Sequence, residues 1–524
     1  MLDFINLVRD NINPVVVFPI ATIYLLLLFF WYYIRVLRPE SGSSEWIDMR
    51  VHKPDRLTFL TERFQMSRSD IIPLTLILFI FFCLAIINLG NTENVDVLAE
   101  LELFRQGESR SGNHLENLYF DEIYFVTTAA QHLEGIPPYE WTHPPLGKEI
   151  IATSILIFGM NPFGWRFIGA LCGVIMLAVM YVLVKNMFGK TTVATCATLL
   201  LGFDFMRFVQ TRLGTIDTYV VLFILFAFLF MYRYITTDPE EKFGKSLALL
   251  ALSGIFFGLS FAIKWVGFYA GAGLLFIYTI RLAQLYVHYR DTEKTGYAKY
   301  LIKTLLSSVV FFVIIPAVVY YLSYIPYGIS RDMSIGDGML WDIRYLEMVW
   351  NNQTAMFNYH SNLVAEHPYS SMWWQWVLNI RPILYVNNHA DGLRATFGAF
   401  GNPVVWWGGL AAMLFMILRV FKYKDGKALF ILIGYLSSLL PWVAVTRIVF
   451  VYHYFPSTLF LVLAIAHIFN TMSERKKSEY KFHIYGFTAT TGIVFAMFYP
   501  ALAGFFLPDW YYKNFLKWLG TWPF

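Results

Sequence analysis

Apolar residues in this chain fall into long runs separated by short polar segments, and the runs recur along almost its whole length. A run of about 18 or more apolar residues is long enough to cross a hydrocarbon core of about 30 Å as a helix. About twelve such spans are predicted, over 15–34, 71–90, 167–185, 191–206, 218–235, 246–263, 265–283, 304–324, 403–420, 428–445, 451–470 and 484–506. The run 191–206 is the weakest, because it is short and ends in Asp204 and Arg207. Lying between two strong neighbours, it reads as one arm of a membrane hairpin.

The polar segments differ in charge. The stretches 35–69, 185–190, 233–245, 281–303, 419–427 and 471–483 hold 25 of the 40 Lys and Arg within 99 residues. Short cytoplasmic loops retain positive charge, so these segments are predicted to face the cytoplasm. Both termini and the long connections 91–166 and 325–402 then lie outside. The first span follows Asp3, Arg9 and Asp10 and has no small-residue cleavage site, so it reads as a retained anchor. The chain divides accordingly into an anchor and basic loop (1–70), a membrane module with the first outer loop (71–324), a second outer loop (325–402) and a C-terminal group of transmembrane helices (403–524).

Composition agrees with lipid as the solvent: 57% of residues are hydrophobic and 15% charged, against roughly 25% charged in soluble domains. The expected fold is an all-α polytopic membrane protein with amphipathic or juxtamembrane helices in its outer loops. The net charge of +4 is accounted for by the basic loops, so nucleic acid is not an expected partner and membrane lipids are. No G-x-x-x-x-G-K-[ST] motif and no sizeable cytoplasmic domain is present, which argues against an ATP-driven pump. Cys83, Cys172 and Cys196 are widely separated within predicted spans and read as core thiols. Many aromatic residues, such as Trp31-Tyr32-Tyr33 and Trp510-Tyr511-Tyr512, lie near span ends as interfacial belts do.

The outer connections carry the unusual residues. The first contains Phe120-Asp121-Glu122 and then His143-Pro144-Pro145-Leu146-Gly147-Lys148, where two prolines fix the separation of His143 and Lys148. A carboxylate can take a proton from an attacking hydroxyl, and His and Lys can neutralise a phosphate or another anion. The plain alternative is a hydrated loop with incidental charges. Arg166, Arg212, Asp217, Lys264, Arg447 and His453 fall at predicted outer ends of helices. Each alone could be a snorkelling or paired residue, but their recurrence on one side predicts a shared polar cavity. The second connection offers Asn352, Gln353, Tyr359-His360, His367-Pro368-Tyr369-Ser370-Ser371, Trp373-Trp374-Gln375-Trp376 and Arg381-Pro382. His360 and His367 are spaced to share a helix face, yet no Cys or acid cluster accompanies them as a metal site would require.

Taken together, Phe120-Asp121-Glu122, the His143–Lys148 block, Thr211-Arg212 through Ile216-Asp217, Tyr359-His360 through Arg381-Pro382 and Val451-Tyr452-His453-Tyr454-Phe455-Pro456 resemble the protein O-mannosyltransferase family of GT-C membrane glycosyltransferases. The resemblance runs from about residue 70 to the end of the sequence, with the five motifs in the family's order. It implies a cell-membrane enzyme that moves mannose from a polyprenyl-phosphate carrier to Ser or Thr hydroxyls of translocated proteins, with its active site on the extracytoplasmic face. Work beside the Sec translocon and as a dimer are further expectations. Eukaryotic members carry a β-trefoil MIR domain in the second outer connection, and 325–402 is too short for one. The resemblance is therefore to the short prokaryotic type.

In a single inverting displacement, Asp121 would be the base and Glu122 a supporting group, since neighbours on an extended segment point to opposite sides. His143, Lys148, Arg212 and Arg447, with Arg166 by the resemblance, would meet the charge on the leaving phosphate. Asp217 could pair with Arg212 or hold a divalent ion, and no cofactor is otherwise expected. His360, His367, Arg381 and His453 complete the expected substrate-binding set. One rival reading keeps the fold and moves another sugar onto a lipid or cell-wall acceptor. Another is a transporter or flippase, whose site would sit near the bilayer midplane on broken helices; here the charges gather at helix ends.

Overall fold

A computed structural model describes residues 66–90, 118–292, 295–474 and 479–524. The predicted span 15–34 and most of the basic loop 35–69 lie outside the described residues. Among the described residues, ten helices are long and apolar enough to cross a membrane. They are α1 (Arg68–Ile86), α4 (Pro162–Phe188), α7 (Asp217–Thr236), α8 (Pro239–Phe261), α9 (Val266–Asp291), α10 (Tyr297–Ile329, through a π turn at Val310–Ile314), α13 (Pro403–Tyr423), α14 (Gly426–Leu439, extended by a 3₁₀ turn to Val443), α15 (Phe455–Glu474, preceded by a 3₁₀ turn from Val451) and α16 (Glu479–Leu502). Each matches a run predicted from hydropathy, with ends that differ by up to eight residues.

The eleventh predicted run in this region is broken in two. Thr191–Gly202 (α5) is too short to cross alone, and Phe205–Gln210 (α6) follows after Asp204. Asp204 caps α6 by accepting from the Arg207 amide at 3.0 Å, and its carboxylate also accepts from Trp406 Nε1 at 2.9 Å. Arg207 donates to the carbonyl of Gly202 across the break and to that of Gly173 on α4. The two charges that weaken the hydropathy signal are thus the pieces that satisfy the interrupted backbone.

The bundle is layered around α7 and α15, whose side chains are nearly all buried, while α1 and α10 stand at the periphery. α7 packs against α4, α8 and α9, and α15 against α13, α14 and α5. Among the described residues, four α-helices lie in the two long connections: α2 (Glu122–Glu134), α3 (Leu146–Phe158), α11 (Ile343–Asn362) and α12 (Trp373–Val377).

The all-α expectation needs one correction. The second connection ends in a hairpin of Ile383–Ala390 (β1) and Leu393–Ala399 (β2), and Leu507–Pro508 (β3), beyond α16, adds to β2 to complete a small antiparallel sheet of order β1-β2-β3. Asp391 (φ 50°) and Gly392 (φ 75°) make the two-residue turn, and Asp-Gly between apolar alternating residues is a strong hairpin signal. A bulge between Leu384 and Val386 leaves Tyr385 as the extra residue. Bulges re-aim side chains, and Tyr385 reaches Gln210 with its hydroxyl at 3.0 Å.

Candidate active site

Asp121 sits at the start of α2, and the residue before it has a left-handed backbone, Phe120 at φ 54°. That conformation costs a bulky residue about 1–3 kcal/mol and needs surrounding structure to hold it. Here the Phe120 ring is caged by His367, Tyr385, Phe450 and Tyr452, with centroids 5.3–6.3 Å away. The cage draws on the second long connection and on the turn before α15, so it ties Asp121 to two distant parts of the chain.

The two adjacent acids have opposite surroundings. Glu122 is completely buried and forms a bidentate pair with Arg166, at 2.8 and 2.7 Å. It also accepts from the amides of Gly214 (2.7 Å) and Tyr119 (2.9 Å). Arg166 donates further to the Leu89 carbonyl and lies over the Tyr119 ring. The four hydrogen bonds to Glu122 are all charge-assisted, so the pair bolts α2, α4 and the α6–α7 turn together. Asp121, half-buried, accepts from the Tyr452 hydroxyl at 3.1 Å. Burial pushes its carboxyl up to about 7, with Lys264 opposing that rise and Asp217 adding to it. The divergence arises at a helix start, where successive side chains turn away from each other, rather than on an extended segment.

Around Asp121 the helix ends bring further charges. Asp217, the first residue of α7, pairs with Lys264 at 2.8 Å rather than with Arg212. Lys264 lies in the turn between α8 and α9, with its ammonium 5.3 Å from the centre of the Tyr452 ring. This juxtaposition depends on Gly147: a Cβ there would meet Ile216 at 2.6 Å and Ile263 at 2.9 Å, the neighbours of Asp217 and Lys264. The Leu146 amide donates to the Ala262 carbonyl at 3.2 Å, fastening the His143–Lys148 block to the same turn. Arg447 is half-buried in the segment before α15, where its guanidinium donates to the Ile448 carbonyl at 3.2 Å. Burial lowers its pKa, against the opposing influence of Tyr452, Tyr269 and Tyr359.

His143 bonds through Nδ1 to Glu140 at 3.0 Å, and its ring lies 5.5 Å from that of His360. His360 Nε2 donates to the Thr142 carbonyl at 2.9 Å. Burial, followed by the charges of His143 and Arg447, brings His360 down to about 4, so it is neutral at ordinary pH. Burial also lowers His143, opposed by Glu140.

Several expected ligands are occupied elsewhere. Lys148 is fully buried and donates to the Glu140 carboxylate (2.7 Å) and to the carbonyls of Glu140 and His143, leaving nothing to offer a phosphate. Arg166 belongs to Glu122. Arg212 caps the end of α1, donating to the carbonyls of Ala85 (3.1 Å), Ile87 (2.7 Å) and Leu502 (3.4 Å). Arg381 holds the backbone of Pro368 and Ser370. His453 is sandwiched with Trp442 and Trp376. His360 is on α11 and His367 beyond its end, packed on Phe120 and Phe450, so the two share no helix face. No group of three or more His, Cys, Asp and Glu able to hold a metal occurs among the described residues.

One functional residue went unread in the sequence. Glu140 is nearly fully buried, and although burial raises its pKa, Lys148 and His143 hold it well below the usual carboxylate range. Its position three before His143 was the available signal.

Two family models match the chain: "Dolichyl-phosphate-mannose-protein mannosyltransferase" over residues 155–326 and "C-terminal four TMM region of protein-O-mannosyltransferase" over 345–522. A polyprenol-phosphate-mannose–protein mannosyltransferase of Mycolicibacterium smegmatis is 28% identical over 463 residues, covering 77% of this chain and 87% of its own. The protein of the same name in Mycobacterium tuberculosis is 27% identical, covering 77% and 86%. In architecture the chain is similar to the S. cerevisiae protein O-mannosyltransferase Pmt1-Pmt2 complex bound to the sugar donor. The TM-score is 0.67 and the identity 14%, over 84% of this chain and 94% of the other.

Proposed function

The chain belongs to the protein O-mannosyltransferase family, with its GT-C membrane fold, and from that premise we propose that it transfers mannose from a polyprenyl-phosphate-mannose donor to Ser or Thr hydroxyls of proteins. The observation that carries the reading is the division between the two acids. Glu122 is saturated by Arg166 and two amides, while Asp121 is poised with a pKa near neutrality, bonded to the Tyr452 hydroxyl and within the field of Lys264.

In this reading the acceptor hydroxyl gives its proton to Asp121 as its oxygen attacks the anomeric carbon. The bond from that carbon to the phosphate oxygen breaks, and configuration inverts. Charge grows on the leaving phosphate, and among the described residues Lys264 and Arg447 are placed to meet it, with His143 near Lys264. Lys148, Arg166 and Arg212 hold these groups in place from behind. Asp217 orients Lys264 through their ion pair and is assigned no metal.

Sidedness rests on the basic segments, which cluster at the ends away from Asp121. We place the site on the extracytoplasmic face of the cell membrane, where translocated chains present Ser and Thr. The test is transfer by the purified protein, in lipid vesicles, of radiolabelled mannose from synthetic polyprenyl-phosphate mannose to a Ser/Thr-rich peptide. Label on the peptide is the expected result. Label only on lipid, or transfer of another sugar from the same carrier in place of mannose, would overturn the assignment.

A further inference from the structure

Tyr452 lies in the 3₁₀ turn Val451–Tyr454 that leads into α15. The next residue clips that turn, since His453 bonds through Nδ1 to the Phe450 carbonyl at 2.9 Å and is itself seated against Trp376 and Trp442. The Tyr452 ring stacks on both neighbours, with centroids 5.6 Å from Phe450 and 4.6 Å from His453 and planes within 24°. Stacked in this way and buried, the ring is fixed in direction.

Its two ends meet the two halves of the site. The hydroxyl donates to Oδ2 of Asp121 at 3.1 Å. Among the described residues nothing donates to the other oxygen, Oδ1, and it is not one of the sealed buried polar atoms. The Lys264 ammonium lies over the Tyr452 ring, 5.3 Å from its centre, where the negative face of the π system favours a cation.

We infer that Tyr452 is a positioning residue for the proposed transfer, and its role rests on that reaction: the hydroxyl turns Asp121 so that Oδ1 meets the acceptor hydroxyl, and the ring holds the Lys264 ammonium for the leaving phosphate. The proton passes to Oδ1, the acceptor oxygen bonds to the anomeric carbon, and the phosphate leaves with the electron pair of the broken bond. Attacking and leaving oxygens stand on opposite sides of that carbon, so base and cation must keep a set separation, and one rigid side chain between them supplies it.

The hydroxyl also acts on the charge of Asp121. Burial pushes that carboxyl up to about 7; Lys264 and the Tyr452 hydrogen bond oppose the rise, and Asp217 and Glu140 add to it. The phenols of Tyr124 and Tyr385 face the same carboxyl. A hydrogen bond donated to the ionised form favours it, so losing the hydroxyl moves the titration upward.

The experiment uses the full-length protein in lipid vesicles, with Tyr452→Phe, which keeps the ring, and Tyr452→Leu, which removes both contacts. Infrared spectra from pH 5 to 9 follow the Asp121 carboxyl band, identified by its absence in Asp121→Asn, and transfer from synthetic polyprenyl-phosphate mannose gives kcat and the donor KM. In Tyr452→Phe the midpoints of the band and of the rate should both move up by about one to two pH units, the worth of a hydrogen bond to a charged group, with the donor KM unchanged. Tyr452→Leu should show the same movement and a donor KM raised about two- to fivefold through loss of the ring beneath Lys264. A Tyr452→Phe protein that titrates as the unaltered one does, or a folded Tyr452→Leu protein with an unchanged donor KM, would overturn the inference. If the unaltered protein transfers no mannose, the proposed function falls, and the infrared midpoints still decide by themselves whether Tyr452 holds Asp121.

Discussion

Asp121→Asn separates chemistry from stability. The substitution keeps the shape of the side chain and its contact with Tyr452 but removes the group that accepts a proton. Loss of a positioned general base costs a factor on the order of 10² to 10⁴ in turnover. The stability effect should have the opposite sign. Burial raises this carboxyl from 3.8 to about 7, so the fold favours its protonated form. That contribution is fully present below about pH 3.8 and is lost as pH rises through about 7. Three units correspond to roughly 4 kcal/mol of burden on the folded state above neutrality, as an upper figure. The neutral Asn carries no such burden. The assay pairs initial rates of mannose transfer from pH 5 to 8 with thermal unfolding in detergent at each pH. For the unaltered protein the rate should climb about tenfold per pH unit and level off near 7. The variant should show a small pH-independent residue of activity and equal or higher stability at pH 8. A variant that turns over normally, or a transfer rate flat across this range, would refute Asp121 as base.

The neighbouring acid behaves otherwise: Glu122→Ala strands the buried Arg166 and should destabilise the protein by about 3–5 kcal/mol, seen as a large fall in unfolding temperature. Lys148→Ala, by leaving the Glu140 carboxylate buried and unpaired, should likewise cost about 3–5 kcal/mol without raising the KM for the lipid donor in whatever protein remains folded. Arg447→Ala has the reverse signature, with near-normal unfolding but weaker donor use, and unchanged donor kinetics would remove Arg447 from the phosphate site. Chelation by EDTA should leave transfer intact, because Asp217 is already given to Lys264; a loss restored by added divalent ion would refute that.

Hydropathy carried the helices because a lipid-crossing segment must be apolar along its whole length, which leaves a signal in every residue. The break at Asp204 was visible only as weakness, since hydropathy records two charges but not the carbonyls that Arg207 satisfies. The Asp391-Gly392 hairpin was legible in principle from its turn residues and was masked by the helical character of everything around it. At the site, Asp121, Glu122, His143 and Arg447 were readable as chemistry-bearing types in polar segments between the apolar runs. Which cations remain available was not. Lys148, Arg166 and Arg212 look in sequence like phosphate ligands, and only the fold reveals a buried carboxylate or an exposed helix end as the partner of each.

The hydrogen bond from Tyr452 to Asp121 joins residues 331 positions apart, and the amide that fixes Glu122 comes from Gly214, 92 residues downstream. A chain made from its N-terminus and threaded into the membrane span by span therefore displays its acidic pair long before either partner exists. The α2 turn is bolted when Gly214 arrives, and Asp121 gains its phenol only when the segment leading into α15 is in place. In the proposed reaction, competence to transfer sugar is thus a property of the finished assembly.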